Sequence, residues 1–471
     1  MNRSHTSRRN RIIVDQASEH KQDILRDLGN GLVLRRATVA DTDALVAFNA
    51  EVFREPDQQG PNEATAVWTR DMMEHRHPIV DVGDFTVVED TRTGRIVSSL
   101  CLISQTWSYD GIPFGVGRPE AVATHPDYRR RGLVRAQFEV VHAWSAERGH
   151  KMTVLTGIPW FYRQFGYEMA LSLGGGRGGY VPNVPKLKDG QAEAYRVRPA
   201  TERDLPFMRQ VYDEAIKRYL VACVRDERIW RYELDGRSQK NDDRLELRIV
   251  ESADGEAVGF LAHPPLLWGQ TLATVLYELK PGVSWLSVTP GVLRYLQRTG
   301  QEYAAQAHKE FEGFGFYLET EHPLYQAIPE RLPRTIWPYA WYVRVPDLAD
   351  LIQHVAPVLE RRLAESVLAG YTGQLRLNFY RDGLQLVFER GHLRAAEPWK
   401  PTIITERWVP ASSDGSEAEF PDLTFLQLLF GYRTLEELSY AFPDCWAEAD
   451  EARVLLQVLF PRQPSLVWGV A

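Results

Sequence analysis

Cysteine is scarce in this chain of 471 residues. Only three occur, Cys101, Cys223 and Cys445, and they lie far apart with no CxxC spacing. The sequence therefore predicts neither a disulfide framework nor a zinc site, and no metal is expected. This cysteine usage fits a reducing, cytoplasmic location.

Long apolar runs and an excess of positive charge are also missing. No stretch approaches the roughly 18 consecutive apolar residues that cross a bilayer, so no membrane segment is expected. The 63 acidic residues outnumber the 55 basic ones and give a formal net charge of -8. Because a general nucleic-acid binder must neutralise phosphates, this balance argues against nucleic acid and favours a neutral or cationic partner.

The overall composition is that of a globular protein with several domains. Apolar residues make up 44% and charged residues 25% of the chain. The length is too great for one hydrophobic core and predicts about three domains. Residues 1–30 begin with a basic segment that no apolar stretch follows, and we expect a disordered tail there.

An internal similarity defines the layout of the first two domains. The segment LRRATVAD at residues 34–41 recurs as VRPATERD at residues 197–204, each followed by an apolar-periodic stretch. Both copies predict a strand followed by a helix. Thr38 and Thr201 stand at the N-cap, with an aspartate three residues later as the acidic half of a capping box.

The similarity predicts two related domains, at residues 31–180 and 194–337, with a linker at 181–193. The run GGGRGG at residues 174–179 precedes this linker. A glycine run can also form a phosphate loop, but no helix pattern follows it to supply an N-terminus for the anion. The run is therefore interpreted as linker chemistry.

The pattern changes after about residue 338. A helical stripe runs from Leu348 to Leu359, and alternating apolar residues on both sides of Asp382-Gly383 predict a hairpin. Thr434 and Glu437 form the pattern of another capping box. A third, α+β domain is expected at residues 338–471.

The chemistry of the first domain is concentrated after a strand that ends at Thr124. The next ten residues are HPDYRRRGLV, and an apolar helical stripe follows. A strand end, an arginine-glycine turn and a helix start together build an anion site, because free amides converge there and guanidinium groups add charge-assisted hydrogen bonds. Three adjacent arginines alone would indicate only a solvated patch. With Gly132 allowing close backbone approach, a pyrophosphate would fit.

These residues resemble a known family. Arg129-x-x-Gly132-x-Val134 is similar to the Arg/Gln-x-x-Gly-x-Gly/Ala signature of the GNAT acetyltransferase superfamily, with valine at the last position. The segment GIPWFYRQFGY at residues 157–167 resembles a later motif of the same superfamily. The resemblance implies acetyl-CoA as cofactor. The cofactor-binding residues that it implies are Val122, Ala123, Thr124, Arg129, Arg130, Arg131, Gly132, Leu133, Val134 and Gly157.

The domain order is similar to that of the enhanced intracellular survival (Eis) branch of the superfamily. This resemblance implies tandem GNAT folds, with mixed, mostly antiparallel sheets and helices on both faces, followed by an α+β domain like a sterol carrier protein. Residues 281–296 contain no Arg-x-x-Gly turn, so we expect no acetyl-CoA in the second domain. The branch also implies a homo-oligomer.

The resemblance implies a mechanism as well. Tyr162 matches the proton-donating tyrosine of the branch, although an aromatic residue at this spacing can also simply pack. The base implied is the C-terminal carboxylate, here that of Ala471. Glu120 is a second candidate base, because it lies two residues before Val122 and so on the same face of the strand.

Two functions from different classes follow. The first is an N-acetyltransferase that moves an acetyl group from acetyl-CoA to a primary amine, either an aminoglycoside-like polyamine or a lysine side chain. The alternative is a non-enzymatic protein that binds an apolar ligand or lipid in its third domain and keeps only a vestigial or regulatory acetyl-CoA site.

Overall fold

The computed structural model describes residues 24–56, 58–74, 76–401, 415–447 and 449–471. These residues form four β-sheets flanked by helices, which confirms the expected mixed α+β fold. No helix in these ranges is both long and apolar enough to cross a bilayer. Of the expected tail at 1–30, residues 1–23 lie outside the description. Residues 24–29 pair with the next strand of the first sheet, and Leu25 and Leu28 pack on the core of that sheet. For these residues the expected disordered tail is therefore wrong.

The first part of the chain contains seven strands and three helices. They are β1 (Ile24–Gly29), β2 (Leu32–Arg36), α1 (Thr42–Val52), α2 (Glu63–Met73), β3 (Phe85–Asp90), β4 (Arg95–Tyr109), β5 (Ile112–Thr124), α3 (Leu133–Glu147), β6 (Met152–Leu155) and β7 (Glu168–Leu173). The chain turns at Thr93-Gly94 between β3 and β4 and at Asp110-Gly111 between β4 and β5, and both pairs are antiparallel.

The middle of the chain forms two four-stranded sheets. Its elements are β8 (Gly176–Tyr180), β9 (Tyr195–Pro199), α4 (Leu205–Ala215), β10 (Val221–Cys223), α5 (Glu227–Arg231), β11 (Glu246–Ser252), β12 (Ala257–His263), β13 (Thr271–Thr274), β14 (Leu276–Leu279), α6 (Trp285–Ala307), β15 (Gly313–Phe316), α7 (Pro323–Ala327) and β16 (Arg334–Ile336). The strand orders are β14-β12-β11-β9 and β13-β15-β8-β16.

The last part contributes one strand to the first sheet and then builds a sheet of its own. Its elements are β17 (Tyr339–Arg344), α8 (Leu348–His354), α9 (Ala356–Ala364), β18 (Gly373–Asn378), β19 (Gly383–Glu389), β20 (His392–Trp399), β21 (Ala418–Glu419), α10 (Phe425–Leu429), α11 (Leu435–Ala441), β22 (Trp446–Ala447) and α12 (Asp450–Leu459). The sheet order is β20-β19-β18-β21-β22. The single helix expected from residue 348 to 359 is wrong. It is divided at Val355, and Pro357 opens the second helix.

The repeated segments near residues 38 and 201 have the same local structure. Asp41 accepts a hydrogen bond from the Thr38 amide and Asp204 from the Thr201 amide, each at 2.8 Å. Each aspartate also pairs with the arginine six residues before it, Asp41 with Arg35 and Asp204 with Arg198. The capping boxes predicted from sequence are therefore present in both copies.

The chain passes between the first sheet and the sheets of the middle part after β7 and before β17, and β10 of the middle part also pairs with β4. After β7, the chain enters β8, which pairs with β15 and β16. It returns as β17, which lies between β6 and β7 in the first sheet. Glycine is needed at this crossing: a Cβ on Gly175 would lie 2.8 Å from Pro338, and one on Gly176 would lie 2.1 Å from the Phe316 carbonyl oxygen. The glycine run thus serves a close passage of backbones.

Candidate active site

The centre of the first sheet contains a gap between two neighbouring strands. Strands β5 and β6 pair only at Val116–Met152 and Gly117–Thr153. Beyond these pairs β5 continues to Thr124 bonded to β4 alone, while β6 bonds to β17. A β-bulge at Ala121, whose φ is 53°, bends β5 at this point. The β6-facing edge of β5 after Gly117 therefore offers backbone donors and acceptors to an extended ligand.

The loop after β5 leads into the start of α3 without a side-chain cap. Gly132 is the N-cap in the left-handed region, with φ of 76°, and no side chain caps the first turn. The amides of Leu133 and Val134 are therefore available to an anion. A Cβ on Gly132 would meet nothing within 4 Å, so its glycine is required by the backbone angle and faces open space.

Three exposed arginines surround this helix start. Arg129 donates to the Thr124 carbonyl oxygen at 3.3 Å and Arg131 to that of Asp127 at 3.0 Å, contacts that orient the guanidinium groups. Within the described residues, none of the three, Arg130 included, has a carboxylate within 4.0 Å. Their charge is therefore available to a ligand, and the loop fits a diphosphate.

Tyr162 lies at the end of the gap on the α3 side. Its ring is buried among Phe138, Phe161 and Tyr342, and a Cβ on Gly157 would approach that ring to 2.7 Å. Burial raises the pKa of Tyr162, and the nearby negative charge of Glu120 raises it further. The phenol therefore keeps its proton near neutral pH.

The last residues of the sequence run into the opposite side of the gap. Gln105 donates to the Val470 carbonyl oxygen at 2.7 Å, and Arg225 donates to that of Trp468 at 2.6 Å. Arg237 donates to the main-chain oxygen of Ala471. Ala471 is buried and packs with the cluster formed by β5, α1 and α2. Three separate side chains thus fix the path of this segment.

A buried carboxylate organises two of these arginines. Glu233 pairs with Arg225 and with Arg237, both at 3.1 Å. Burial alone would raise the pKa of Glu233, but the two guanidinium groups outweigh it and hold the pKa below its ordinary value. The charged network is therefore stable as a unit and holds Arg237 against Ala471.

The two candidate proton-transfer groups lie on opposite faces of the first sheet. Ala471 packs with Ala121 and Ala123 on the face covered by α1 and α2. Tyr162 packs with Leu155, and Val122 borders the same cluster, on the face covered by α3. Since successive side chains of β5 alternate between faces, the gap separates the two groups.

Glu120, the second candidate base, is engaged by a neighbour on its own strand. Its carboxylate lies 2.7 Å from the Arg118 guanidinium, as an ion pair rather than an aligned hydrogen bond. The Arg118 guanidinium also lies over the ring of Trp341, at 5.2 Å from its centroid. The charge of Glu120 is thus partly neutralised. Ala471 lines a cavity, and Glu120 does not.

That cavity measures about 620 Å³ and opens beside the gap. Arg118, Thr156 and Ala471 lie on the wall near the first sheet. Trp268 and Glu319 lie on the wall formed by the middle part of the chain. A ligand in this cavity would touch both regions.

Comparison with known proteins agrees with this geometry. Residues 33–170 match the family model described as acetyltransferase (GNAT) domain. Residues 33–170 form a GNAT acetyltransferase domain. A search of curated protein sequences found no match.

Several solved structures share the fold over almost the whole chain. A probable N-acyltransferase from Enterococcus faecalis aligns with a TM-score of 0.64 at 14% identity, covering 93% of this chain and 100% of its own. A GCN5-related N-acetyltransferase from Anabaena variabilis gives 0.60 at 14% identity, covering 93% and 99%. Eis1 from Mycobacterium abscessus gives 0.56 at 13% identity, covering 92% and 98%. At these identities the likeness shows the fold.

The structure brings the sequence-predicted site residues to one place. Residues 122–124 form the free edge of β5, residues 129–134 form the anion loop, and Gly157 and Tyr162 lie at the end of the gap.

In the middle part of the chain, residues 280–284 join β14 to α6 with the sequence KPGVS, and Lys280 there pairs with Glu256.

Sequence analysis missed the residues that distant segments bring to the GNAT domain. Tyr339, Trp341 and Tyr342 come from β17, and Tyr342 donates to the Ile158 carbonyl oxygen at 3.3 Å. Arg225, Glu233 and Arg237, which hold the last residues, come from the middle part. The alternating pattern YAWYVR at 339–344 indicates a strand, but no local signal shows where it pairs.

Proposed function

We propose that this chain is an acetyl-CoA-dependent N-acetyltransferase that acetylates a primary amine. The observation that carries the proposal is the gap between β5 and β6, with Tyr162 on one face and Ala471 on the other. Direct acyl transfer needs an acid on the thiol side and a base on the amine side, and two groups on opposite faces of the gap would fit these roles.

The residues around the gap fit acetyl-CoA. The uncapped amides of Leu133 and Val134 and the guanidinium groups of Arg129 to Arg131 would bind the diphosphate. The free edge of β5 at residues 122–124 would bind the amide-containing arm, as an added strand binds a sheet edge. When bound, acetyl-CoA supplies an activated acetyl group as a thioester.

Orientation by the gap and two proton transfers complete the reaction. The amine nitrogen attacks the thioester carbonyl carbon, the new C–N bond forms and the C–S bond breaks. The α-carboxylate of Ala471 takes the proton that the amine loses, and Tyr162 gives its phenolic proton to the departing sulfur. Arg237 orients the carboxylate. Glu120 is the alternative base; it pairs with Arg118, as Ala471 does with Arg237, but only Ala471 lines the cavity.

The acceptor is a small-molecule amine or a lysine side chain that enters through the cavity at Ala471. We infer an amine because the proposed base needs a proton to remove. No observation on the described residues favours the alternative of an apolar-ligand protein, in which the third domain would bind lipid. Residues of that domain such as Leu377, Leu386 and Phe425 fill its core.

The deciding experiment measures release of CoA thiol from acetyl-CoA with a broad panel of primary amines. We expect amine-dependent release, together with CoA binding that calorimetry detects. A protein that binds CoA but acetylates no amine in the panel would contradict the proposed activity. A protein that shows no heat of CoA binding would contradict the cofactor site as well.

A further inference from the structure

One acidic side chain of the cavity wall has no role in the proposed reaction. Glu319 follows β15 in the middle part of the chain and lies on the wall that faces the GNAT domain. Its exposed fraction is 3%. One carboxyl oxygen accepts a hydrogen bond from the Gly174 amide at 3.1 Å, and the other, Oε2, has no hydrogen-bond partner.

Burying an unpaired carboxyl oxygen costs free energy. An unpaired buried polar atom typically costs about 1–3 kcal/mol. The backbone of Glu319 adds strain, because its φ of 67° lies in the left-handed region that a glutamate rarely adopts. Unpaired polar groups and strained residues of this kind concentrate at ligand sites.

The surroundings of Glu319 indicate which ligand would satisfy it. The rings of Trp268 and Tyr317 lie edge to face on the same wall, with centroids 5.1 Å apart. Trp337 and Tyr339 also line the cavity. Aromatic faces attract cations, and a carboxylate beside them adds a direct ion pair.

The same cavity is also lined by basic and by further acidic side chains. The four basic ones, Arg118, Arg237, Lys240 and Arg244, are each paired with a carboxylate, that of Glu120, Glu233, Glu63 and Glu246 respectively. Glu233 is used by Arg225 and Arg237. Asp242 and Asp243 belong to the segment that follows the π-helical turn of residues 232–236. The titratable groups that face Glu319 are Tyr219 and Tyr325. Burial raises the pKa of Glu319 well above its ordinary value, and a cation bound beside the carboxylate would lower that pKa.

We propose that Glu319, with the rings of Trp268 and Tyr317, forms a second subsite that binds a cationic group at the far end of the acceptor. The inference rests on the proposed function and narrows its substrate to an elongated amine with an apolar middle and a second cationic nitrogen. The middle part of the chain would then contribute to the selection of the acceptor.

The test measures binding in the absence of acetyl-CoA by calorimetry. The probes are straight-chain diamines of three to ten carbons, each compared with the monoamine of the same length. We expect an optimal length at which the diamine binds about tenfold more tightly than the monoamine, or about 1.4 kcal/mol.

Three variants give the test its controls. Glu319→Gln keeps the shape and the Gly174 contact, and should reduce the preference to about twofold or less while monoamine affinity is unchanged. Trp268→Leu should weaken the same preference through loss of the ring. Glu321→Gln removes an exposed carboxylate two residues away and should leave the preference intact.

The outcomes separate the two proposals. Equal binding of diamine and monoamine at every length, or a preference that survives in Glu319→Gln, would overturn the subsite. Thiol release with the monoamines, measured separately in the wild type and in Glu319→Gln, reports on the acetyltransferase activity. Its absence would overturn the proposed function without affecting the binding result.

Discussion

Arg237 donates a hydrogen bond to the main-chain oxygen of Ala471 while it pairs with the buried carboxylate of Glu233. A residue of the middle part of the chain therefore holds the candidate base of the GNAT domain. Replacing Arg237 by Met should leave Glu233 with only Arg225 and should lower the free energy of unfolding by about 3 kcal/mol, as loss of one partner from a buried pair does. Urea denaturation measures this change.

The matched control is Arg228→Met. Arg228 pairs with Asp226 at 2.9 Å, but both side chains are exposed. The change should leave stability almost unaltered. Equal effects of the two substitutions would contradict the role given to the buried network.

The identity of the base can be tested at the end of the chain. A Gly-Ser extension after Ala471 replaces the α-carboxylate by an amide and should lower kcat at least about 100-fold. Glu120→Gln should lower kcat only a few fold. Full activity of the extended protein, together with inactivity of Glu120→Gln, would transfer the role to Glu120.

Tyr162→Phe removes the proposed proton donor. We expect kcat to fall about 100-fold and the KM for acetyl-CoA to change less than about twofold, because the hydroxyl acts on the departing thiolate. The raised pKa of Tyr162 lies above the ordinary value near 10, so wild-type kcat should show no loss from this group below about pH 10.

Tyr167→Phe is the control for Tyr162. Tyr167 is also fully buried, and its hydroxyl lies 2.8 Å from the His142 ring nitrogen. It should keep kcat within a few fold of wild type. A thioester with a more acidic thiol should rescue Tyr162→Phe, and failure of this rescue would argue that Tyr162 only packs.

Arg130→Ala tests the anion loop. Because no carboxylate pairs with this guanidinium in the described structure, its loss should weaken CoA binding about tenfold at low salt and less at high salt. The value of kcat at saturating acetyl-CoA should be retained. Arg95→Ala, an exposed residue at the start of β4, is the comparison and should leave CoA affinity unchanged. Identical affinities in both variants would count against the loop.

His77 makes stability depend on pH. Burial, together with the positive charge of Arg237, lowers the pKa of His77 to about 3. A folded-state pKa below the unfolded value of about 6.5 contributes stability that is present above pH 6.5 and is lost as the pH falls toward 3. Between pH 7 and pH 5 we expect this residue to account for about 2 kcal/mol of lost stability. His77→Phe, which keeps a ring against Tyr232, should reduce that loss in urea titrations.

Local signals in the sequence were sufficient for many of the helices, strands and caps. The strand to Thr124, the four-turn α3 and the caps at Thr38, Thr201 and Thr434 are confirmed, because each depends on residues within a few positions of one another. The division at Val355 was missed because the apolar stripe continues through it, and Pro357 is tolerated in a first turn.

Contacts between distant segments could not be predicted in the same way. Nothing near Arg237 indicates that it meets a residue 234 positions later in the chain. The pairing of β17 with β6 likewise joins residues 342 and 155 across the whole middle part. The cavity wall with Glu319 depends on that crossing, so its composition could be stated only from the three-dimensional structure.

The insertion of β17 between β6 and β7 has a consequence for biosynthesis. A ribosome releases the chain from its N-terminus, and the GNAT domain lacks one inner strand until residue 344 has left the exit tunnel. During that interval the facing edges of β6 and β7 have unsatisfied backbone groups, which are templates for pairing with other chains. A gene fragment that stops near residue 180 should for this reason yield aggregated material, whereas the full-length product should stay monodisperse.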